Sequence, residues 1–223
     1  MTGMNARTRI KVCGMREMAE VAGVVAAGVD AIGLIFVEKS PRCVDRERAR
    51  EIVASLPPFV DAVGVFVDQD AAEVNEIVRY CGLTEIQLHG AESPAYCAEI
   101  NCRVIKAFQV KESLATADLA PYGGVVCGFL FDTFHEKIAG GTGQTFDWRL
   151  LQKMSPLRPI VLAGGLTPDN VGEAIRQARP FAVDLNSGVE FAPGRKNLEK
   201  VRAAVAQVAA ADGAALRLST GLT

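Results

Sequence analysis

Eight short apolar runs, each followed by a stretch with helical spacing, set the strongest limit on what this chain can become. The runs are Ile10 to Cys13, Ala31 to Phe36, Asp61 to Val67, Glu85 to Leu88, Arg103 to Phe108, Val125 to Phe131, Pro159 to Ala163 and Phe181 to Leu185. Strands buried on both faces of a parallel sheet read this way, as brief runs rich in Val and Ile. Helix-start signals fall between them: Asp45 before Arg46 to Ser55, Asp70 before Ala71 to Tyr80, Ser93-Pro94 before Ala95 to Ile100, and Thr167-Pro168 before Asp169 to Ala178. A short fifth helix is expected between Glu112 and Ala120, and a last one from Asn197 through Val208. No polar linker separates the eight units, so the pattern predicts a single (β/α)8 TIM barrel over residues 1–208. Residues 209–223 are small, polar and Gly-containing, and are expected as a frayed tail. A doubly wound open sheet is the alternative, but no G-x-G-x-x-G follows the first run to mark a dinucleotide site.

The length of 223 residues suits one large core and lies within the roughly 200 to 250 residues that such a barrel occupies as one domain. With 24 basic and 26 acidic residues the net charge is −2, which leaves no electrostatic footprint for nucleic acid or an anionic membrane. The expected partner is a small molecule. No apolar run nears the ~20 residues of a membrane span, and Met1 to Arg7 lack the apolar centre of a signal peptide, so a cytoplasmic setting is expected. Six cysteines without C-x-x-C spacing argue against disulfides and a thiolate metal site. Two histidines, His89 and His135, fall in no ligand pattern; no metal and no cofactor is expected.

In such a barrel, residues at the carboxyl ends of the strands converge on one mouth however far apart they lie in sequence. Cys13 ends the first run and Asp132 follows the sixth. Alone, the first reads as a small core residue and the second as a helix cap or loop anchor. Together they offer a thiol and a carboxyl that can act as base and acid across a substrate. Gly164-Gly165 and Ser187-Gly188 follow the last two runs, where main-chain N–H groups can approach a phosphate closely; a single Gly-Gly turn would say little, but two on adjacent strands point to a phosphorylated ligand. Arg42, after Ser40-Pro41, places a planar cation suited to a carboxylate near the mouth, or else makes a surface ion pair. His89 reads equally as a pocket-lining ring or a strand-end residue bonded to backbone, and Thr133 to Phe146, with Gly140-Gly141-Thr142-Gly143, as a mobile cover or a turn.

The segments Lys11-Val12-Cys13-Gly14-Met15, Lys39-Ser40-Pro41-Arg42, Val63-Gly64-Val65-Phe66, Ile86-Gln87-Leu88-His89-Gly90, Phe131-Asp132-Thr133, Phe146-Asp147-Trp148, Leu162-Ala163-Gly164-Gly165-Leu166 and Asp184-Leu185-Asn186-Ser187-Gly188-Val189-Glu190 occur in that order. With Gly140 to Gly143 and Pro193-Gly194 they resemble the phosphoribosylanthranilate isomerase family over about residues 8–205. The resemblance implies a step of tryptophan biosynthesis, the Amadori rearrangement of N-(5-phosphoribosyl)anthranilate by general acid and base. Carried over by position, Cys13 resembles the base and Asp132 the acid. Arg42 looks like the contact to the anthranilate carboxylate, and Asp184 like the acidic residue near the substrate amine; His89 is expected beside the substrate. Gly164, Gly165, Ser187 and Gly188 look like the phosphate cradle. Cys43 departs from the pattern, since the family often has an aromatic residue after the Arg.

A thiol acting as base needs a nearby positive charge. Lys11 is close in sequence but is expected on the opposite face of the strand, which leaves the source of that charge open. A histidine-pathway isomerase would be expected to use two carboxylates, a metal-dependent pentose-phosphate epimerase more histidines, and a catalytically silent phosphate-binding module neither Cys13 nor Asp132. The expected assembly is a monomer or a homodimer.

Overall fold

The computed structural model describes residues 7–110, 115–132, 148, 151 and 158–220, with side chains as far as residue 214. All eight apolar runs form strands: β1 Arg9–Val12, β2 Ala31–Ile35, β3 Asp61–Phe66, β4 Glu85–Leu88, β5 Arg103–Gln109, β6 Gly128–Asp132, β7 Ile160–Ala163 and β8 Ala182–Leu185. Each pairs in parallel with the next, and β8 pairs with β1, so the sheet closes on itself and the open-sheet alternative falls. β6 begins three positions later than the apolar run because Val125 N and Val126 N both donate to the carbonyl of Tyr122, which completes a turn first.

Three helices start where short polar side chains satisfy their first N–H groups. Asp45 accepts from Arg48 N at the start of Arg46–Ala54, Asp70 from Ala72 N and Glu73 N at the start of Ala71–Cys81, and Ser93 from Tyr96 N at the start of Pro94–Glu99. The helix expected from Asp169 begins instead at Val171, because Asn170 Oδ1 accepts from Thr167 N and holds the preceding residues in a turn. The fifth helix is confined to Thr116–Leu119, and Thr133 to Phe146 lies outside the described residues. One element has no counterpart in the sequence reading: a small antiparallel hairpin, β9 Glu190–Ala192 and β10 Arg195–Lys196, follows β8.

Side-chain alternation along the strands sorts the barrel into a coat and an interior. Ile10, Val12, Ile32, Leu34, Ile86, Leu88, Phe129 and Phe131 face outward and build one continuous core with the helices. The interior holds two separate apolar clusters, Ile105, Ala107, Leu130, Val161, Ala163 and Ala182 on one side and Cys13, Ile35 and Val65 on the other. Buried Lys11, Gln87 and Asp184 are the polar groups of that interior.

The last helix does not stop at Val208. It runs Leu198–Thr220, Ala211 is 2 % exposed, and the Asp212 carboxylate accepts from Thr8 N and Thr8 Oγ1, both at 2.7 Å. The frayed tail expected from residue 209 therefore gives way, up to residue 214, to a helix tied to the entry of β1. Asp212→Ala removes both acceptors and is expected to destabilise the protein by about 1–3 kcal/mol, a fall of very roughly 2–10 °C in Tm for a chain of this size, read by thermal and urea denaturation. A Tm within 1 °C of wild type would show that the anchor is dispensable.

Candidate active site

A cavity of about 230 Å³ opens at the carboxyl ends of the strands. Its walls include Cys13 after β1, His89 after β4, Asp132 at the end of β6, Gly164 and Gly165 after β7, Asp184 on β8, and Ser187 and Gly188 after it. Eight of the nine expected site residues thus share one space. Arg42 stands apart from these walls, with its side chain packed over Gly14, whose φ is +75° and where a Cβ would lie 2.9 Å from Arg42 Cδ.

The two Gly-containing turns are pressed together by backbone. A Cβ on Gly188 would lie 1.9 Å from the Leu166 carbonyl oxygen, so only glycine lets the turn after β8 close on the one after β7. Gly164 and Gly165 have φ of +91° and +64°, conformations that L side chains rarely adopt. Residues Ser187–Val189 form a single 3₁₀ turn at the same end of the barrel.

Lys11 corrects the sequence reading. Residues two apart on a strand share a face, so Lys11 lies inside the barrel below Cys13 rather than opposite it. Gly33, on the adjoining strand, leaves the room: a Cβ there would fall 2.6 Å from Cys13 Sγ and 3.1 Å from Lys11 Nζ. Lys11 Nζ donates to Asp184 Oδ2 at 2.7 Å and to Gln87 Oε1 at 3.0 Å. Gln87 Nε2 lies 2.9 Å from His89 Nδ1, and His89 Nε2 lies 3.5 Å from Asp132 Oδ2. A polar chain thus crosses the floor of the cavity from Asp184 to Asp132. Asp184 Oδ1 is buried with no hydrogen-bond partner among the described residues, and Asp184 lines the cavity.

Burial pushes the Cys13 thiol up; Lys11 pulls it down, Asp184 pushes it further up, and Lys196 pulls it down weakly, with a net rise above the ordinary value of 9.0. Burial thus favours the thiol over the thiolate that a base requires, and Lys11 is the cation that opposes it most. Burial also works against the Lys11 charge, but the Asp184 carboxylate, joined by Cys13 once that is ionised, outweighs it and the ammonium is stabilised.

Arg42 is engaged by the protein. Its Nε and Nη2 donate to both oxygens of Glu190, at 2.7 Å for the Nη2 bond, and Glu190 also accepts from Lys196 Nζ at 2.7 Å. Lys196 Nζ reaches Asn186 Oδ1 at 3.1 Å, so the hairpin, the second loop and the β8 turn are one cluster. A guanidinium has five N–H donors. Two of them serve Glu190, and the Nη1 edge is what Arg42 can offer a ligand. Asn186 lies at the strand end where the mouth is expected, whereas Lys11, Gln87, Glu190 and Lys196 have no place among the expected site residues; only the i, i+2 spacing of Lys11 and Cys13, and of Gln87 and His89, signals two of them.

A family model described as N-(5'-phosphoribosyl)anthranilate (PRA) isomerase matches residues 10–207. The N-(5'-phosphoribosyl)anthranilate isomerase of Geobacter sp. (strain M21) is 46% identical over 200 residues, 90% of this chain and 97% of the relative. A solved phosphoribosyl anthranilate isomerase in complex with reduced 1-(o-carboxyphenylamino)-1-deoxyribulose 5-phosphate is 35% identical with a TM-score of 0.77, covering 91% of this chain and 99% of that one. Monomers generated from the dimeric phosphoribosylanthranilate isomerase of Thermotoga maritima give 33% identity and a TM-score of 0.77 over the same shares.

The Glu190 cluster carries a pH signature. Burial alone would raise the Glu190 carboxyl, but hydrogen bonds from Arg42 and Lys196 outweigh it and hold the group below its ordinary 4.5. A group with a depressed folded value adds stability that is present above its unfolded value and lost as pH falls through the folded one. The stability difference between wild type and Glu190→Gln is therefore expected to be constant near neutrality and to shrink as pH drops below about 4.5, by urea unfolding at a series of pH values. A difference that is undiminished at pH 3 would place the benefit of Glu190 elsewhere.

Proposed function

The chain belongs to the N-(5'-phosphoribosyl)anthranilate isomerase family, and from that premise we propose that its barrel mouth converts N-(5'-phosphoribosyl)anthranilate with Asp132 as acid and Cys13 as base. The activity is the isomerase step of tryptophan biosynthesis, an intramolecular aldose-to-ketose conversion. The observation that carries the assignment of roles is the shared cavity: a carboxyl from β6 and a thiol following β1, on strands separated by β7 and β8, line one space together with two glycine turns.

Asp132 gives its proton to the furanose ring oxygen; the C1–O bond breaks and that proton remains on the freed hydroxyl. The anilino nitrogen supplies its lone pair, so C1 becomes part of an iminium. Cys13, as thiolate, then takes the C2 proton, which is acidified by the adjacent cation, and the electrons of that bond form the C1–C2 double bond of an enolamine. Ketonisation moves a proton from the C2 hydroxyl to C1 and yields 1-(2-carboxyphenylamino)-1-deoxyribulose 5-phosphate. Asp184 Oδ1, buried and without a partner among the described residues, suits the substrate N–H. The turns at Gly164-Gly165 and Ser187-Gly188 suit the phosphate, since positive φ values and the close packing of Gly188 on Leu166 bring backbone of both loops to one edge of the cavity. The Nη1 edge of Arg42 suits the anthranilate carboxylate, with Glu190 fixing the other edge.

A cytoplasmic setting accords with six cysteines that are all free, and a monomer or homodimer with a family that includes a dimeric member. Among the described residues no helix is long and apolar enough to cross a membrane.

Cys13→Ala and Asp132→Asn are each expected to lower kcat by about 10² to 10⁴ with the fold retained by circular dichroism. Because only the thiolate can act and burial raises the thiol, kcat/KM should climb with pH through neutrality instead of levelling there. A variant that keeps a third of wild-type turnover removes that residue from the mechanism. Arg42→Ala should lower kcat/KM by about one to two decades, a charge-assisted hydrogen bond being worth about 1.5–3 kcal/mol, with Lys restoring only part. Its Tm should also fall, since Glu190 loses a bidentate partner; normal kinetics of the folded variant would make Arg42 a scaffold residue alone.

A further inference from the structure

The polar chain on the cavity floor orders its own protons. A Lys ammonium only donates, so the Gln87 atom it meets at 3.0 Å acts as the amide oxygen, and the other end of that amide is its NH2. That NH2 lies 2.9 Å from His89 Nδ1 and must donate there, so Nδ1 accepts and carries no proton. The single proton of the neutral ring is then on Nε2, the nitrogen that faces Asp132 Oδ2 at 3.5 Å. In the other direction the same ammonium stands beside Cys13, in the space that Gly33 leaves empty.

We propose that Lys11 is the positioning residue of both halves of the reaction: its charge compensates the thiolate that Cys13 must become, and through Gln87 it fixes the His89 tautomer that presents an N–H to Asp132. This rests on Cys13 and Asp132 being base and acid. Lys11 is 4 % exposed and lines no part of the cavity, so it acts through its neighbours rather than on the substrate. The arrangement also explains why a lysine, and not an arginine, occupies the position. A compact ammonium bonds Asp184 and Gln87 at once and still fits under the Cys13 sulfur, which a planar fork would displace.

The charged groups around Cys13 are Lys11 on its own strand, Asp184 on β8, Lys196 on β10 and Arg42 in the loop after β2, with His89 and Asp132 across the same cavity. Of the cations, Lys11 has the largest effect on the thiol, and its removal leaves Asp184 as an uncompensated anion next to it.

Two readouts independent of turnover test the proposal. The chain has only two histidines, so ¹⁵N NMR of the imidazoles is simple to assign with a His135→Gln reference. His89 is expected as the Nε2–H tautomer in wild type and as a mixture in both Lys11→Met and Gln87→Leu. Alkylation of Cys13 by iodoacetamide, followed peptide by peptide, is expected to be about tenfold slower at pH 8 in Lys11→Met and unchanged within about twofold in Gln87→Leu. Turnover should follow: kcat lower by about 10² in Lys11→Met and about tenfold in Gln87→Leu, with KM within about threefold.

If Lys11→Met does not fold, Gln87→Leu decides the His89 branch and Gly33→Ala the Cys13 branch, because its Cβ separates sulfur from ammonium and should slow alkylation similarly. An unchanged tautomer in Gln87→Leu, or Cys13 alkylation within twofold of wild type when Lys11 is removed or displaced, overturns the proposal. If Cys13→Ala or Asp132→Asn were instead to stay active, the assignment of base and acid would fail while these two readouts still moved with Lys11.

Discussion

The Lys11–Asp184 ion pair sits where the barrel closes. β1 and β8 are the first and last strands, Lys11 and Asp184 are register partners across their seam, and their charged groups meet at 2.7 Å with each side chain 6 % exposed. Taking either charge out of water costs several kcal/mol, and mutual attraction offsets this only when the remaining donors and acceptors are also met. Lys11 gives a second donor to Gln87 and turns its third toward Cys13, and Asp184 keeps one oxygen without a partner among the described residues. The pair therefore joins closure of the fold to preparation of the site: losing one partner would leave a buried charge at the seam, a cost of about 3–5 kcal/mol in comparable cases.

A second polar cluster fixes the rim. Glu190 receives Arg42 from the second loop and Lys196 from the hairpin, and Lys196 extends to Asn186 in the turn after β8. The hairpin is in turn held to the helix Met18–Ala26, where Glu20 accepts from Arg195 Nε and Lys196 N. Loops that would otherwise differ in orientation are thus set before any ligand arrives, which lowers the ordering cost that binding must meet. Burial leaves Lys196 below its ordinary value despite Glu190, so the cluster's cations are not equal, and Arg42 keeps the more robust charge.

Periodicity made the barrel legible because parallel strands packed under helices cannot hide their outward faces: Ile10 and Val12, Ile32 and Leu34, Ile86 and Leu88 are apolar for one physical reason. The ends of those strands then located Cys13, Asp132, His89 and Asp184 without any knowledge of contacts. What the pattern could not reveal was pairing across the interior. Lys11 and Asp184 are 173 positions apart, and Arg42 and Glu190 are 148 apart, so nothing local announces either bond. Lys11 is different: it lies two positions before Cys13, so the two-residue repeat of a strand already puts both side chains on one face. The tail beyond Val208 reads as unstructured by composition, but the burial of Ala211 in the core and the reach of Asp212 to Thr8 continue the helix.

Burial and ionisation pull against each other at Cys13, and the proposed sequence of steps resolves the conflict. A thiol enclosed at 3 % exposure resists becoming an anion, even with an ammonium beside it. Proton transfer from Asp132 to the ring oxygen changes that balance, since it creates an iminium one bond from the carbon whose proton Cys13 must take. The new cation lowers the cost of a thiolate within a few ångströms and acidifies that C–H together. Acid catalysis thus has to precede base catalysis, and a single tautomer at His89, aimed at Asp132, places the control of the first step on the same ammonium that supports the second.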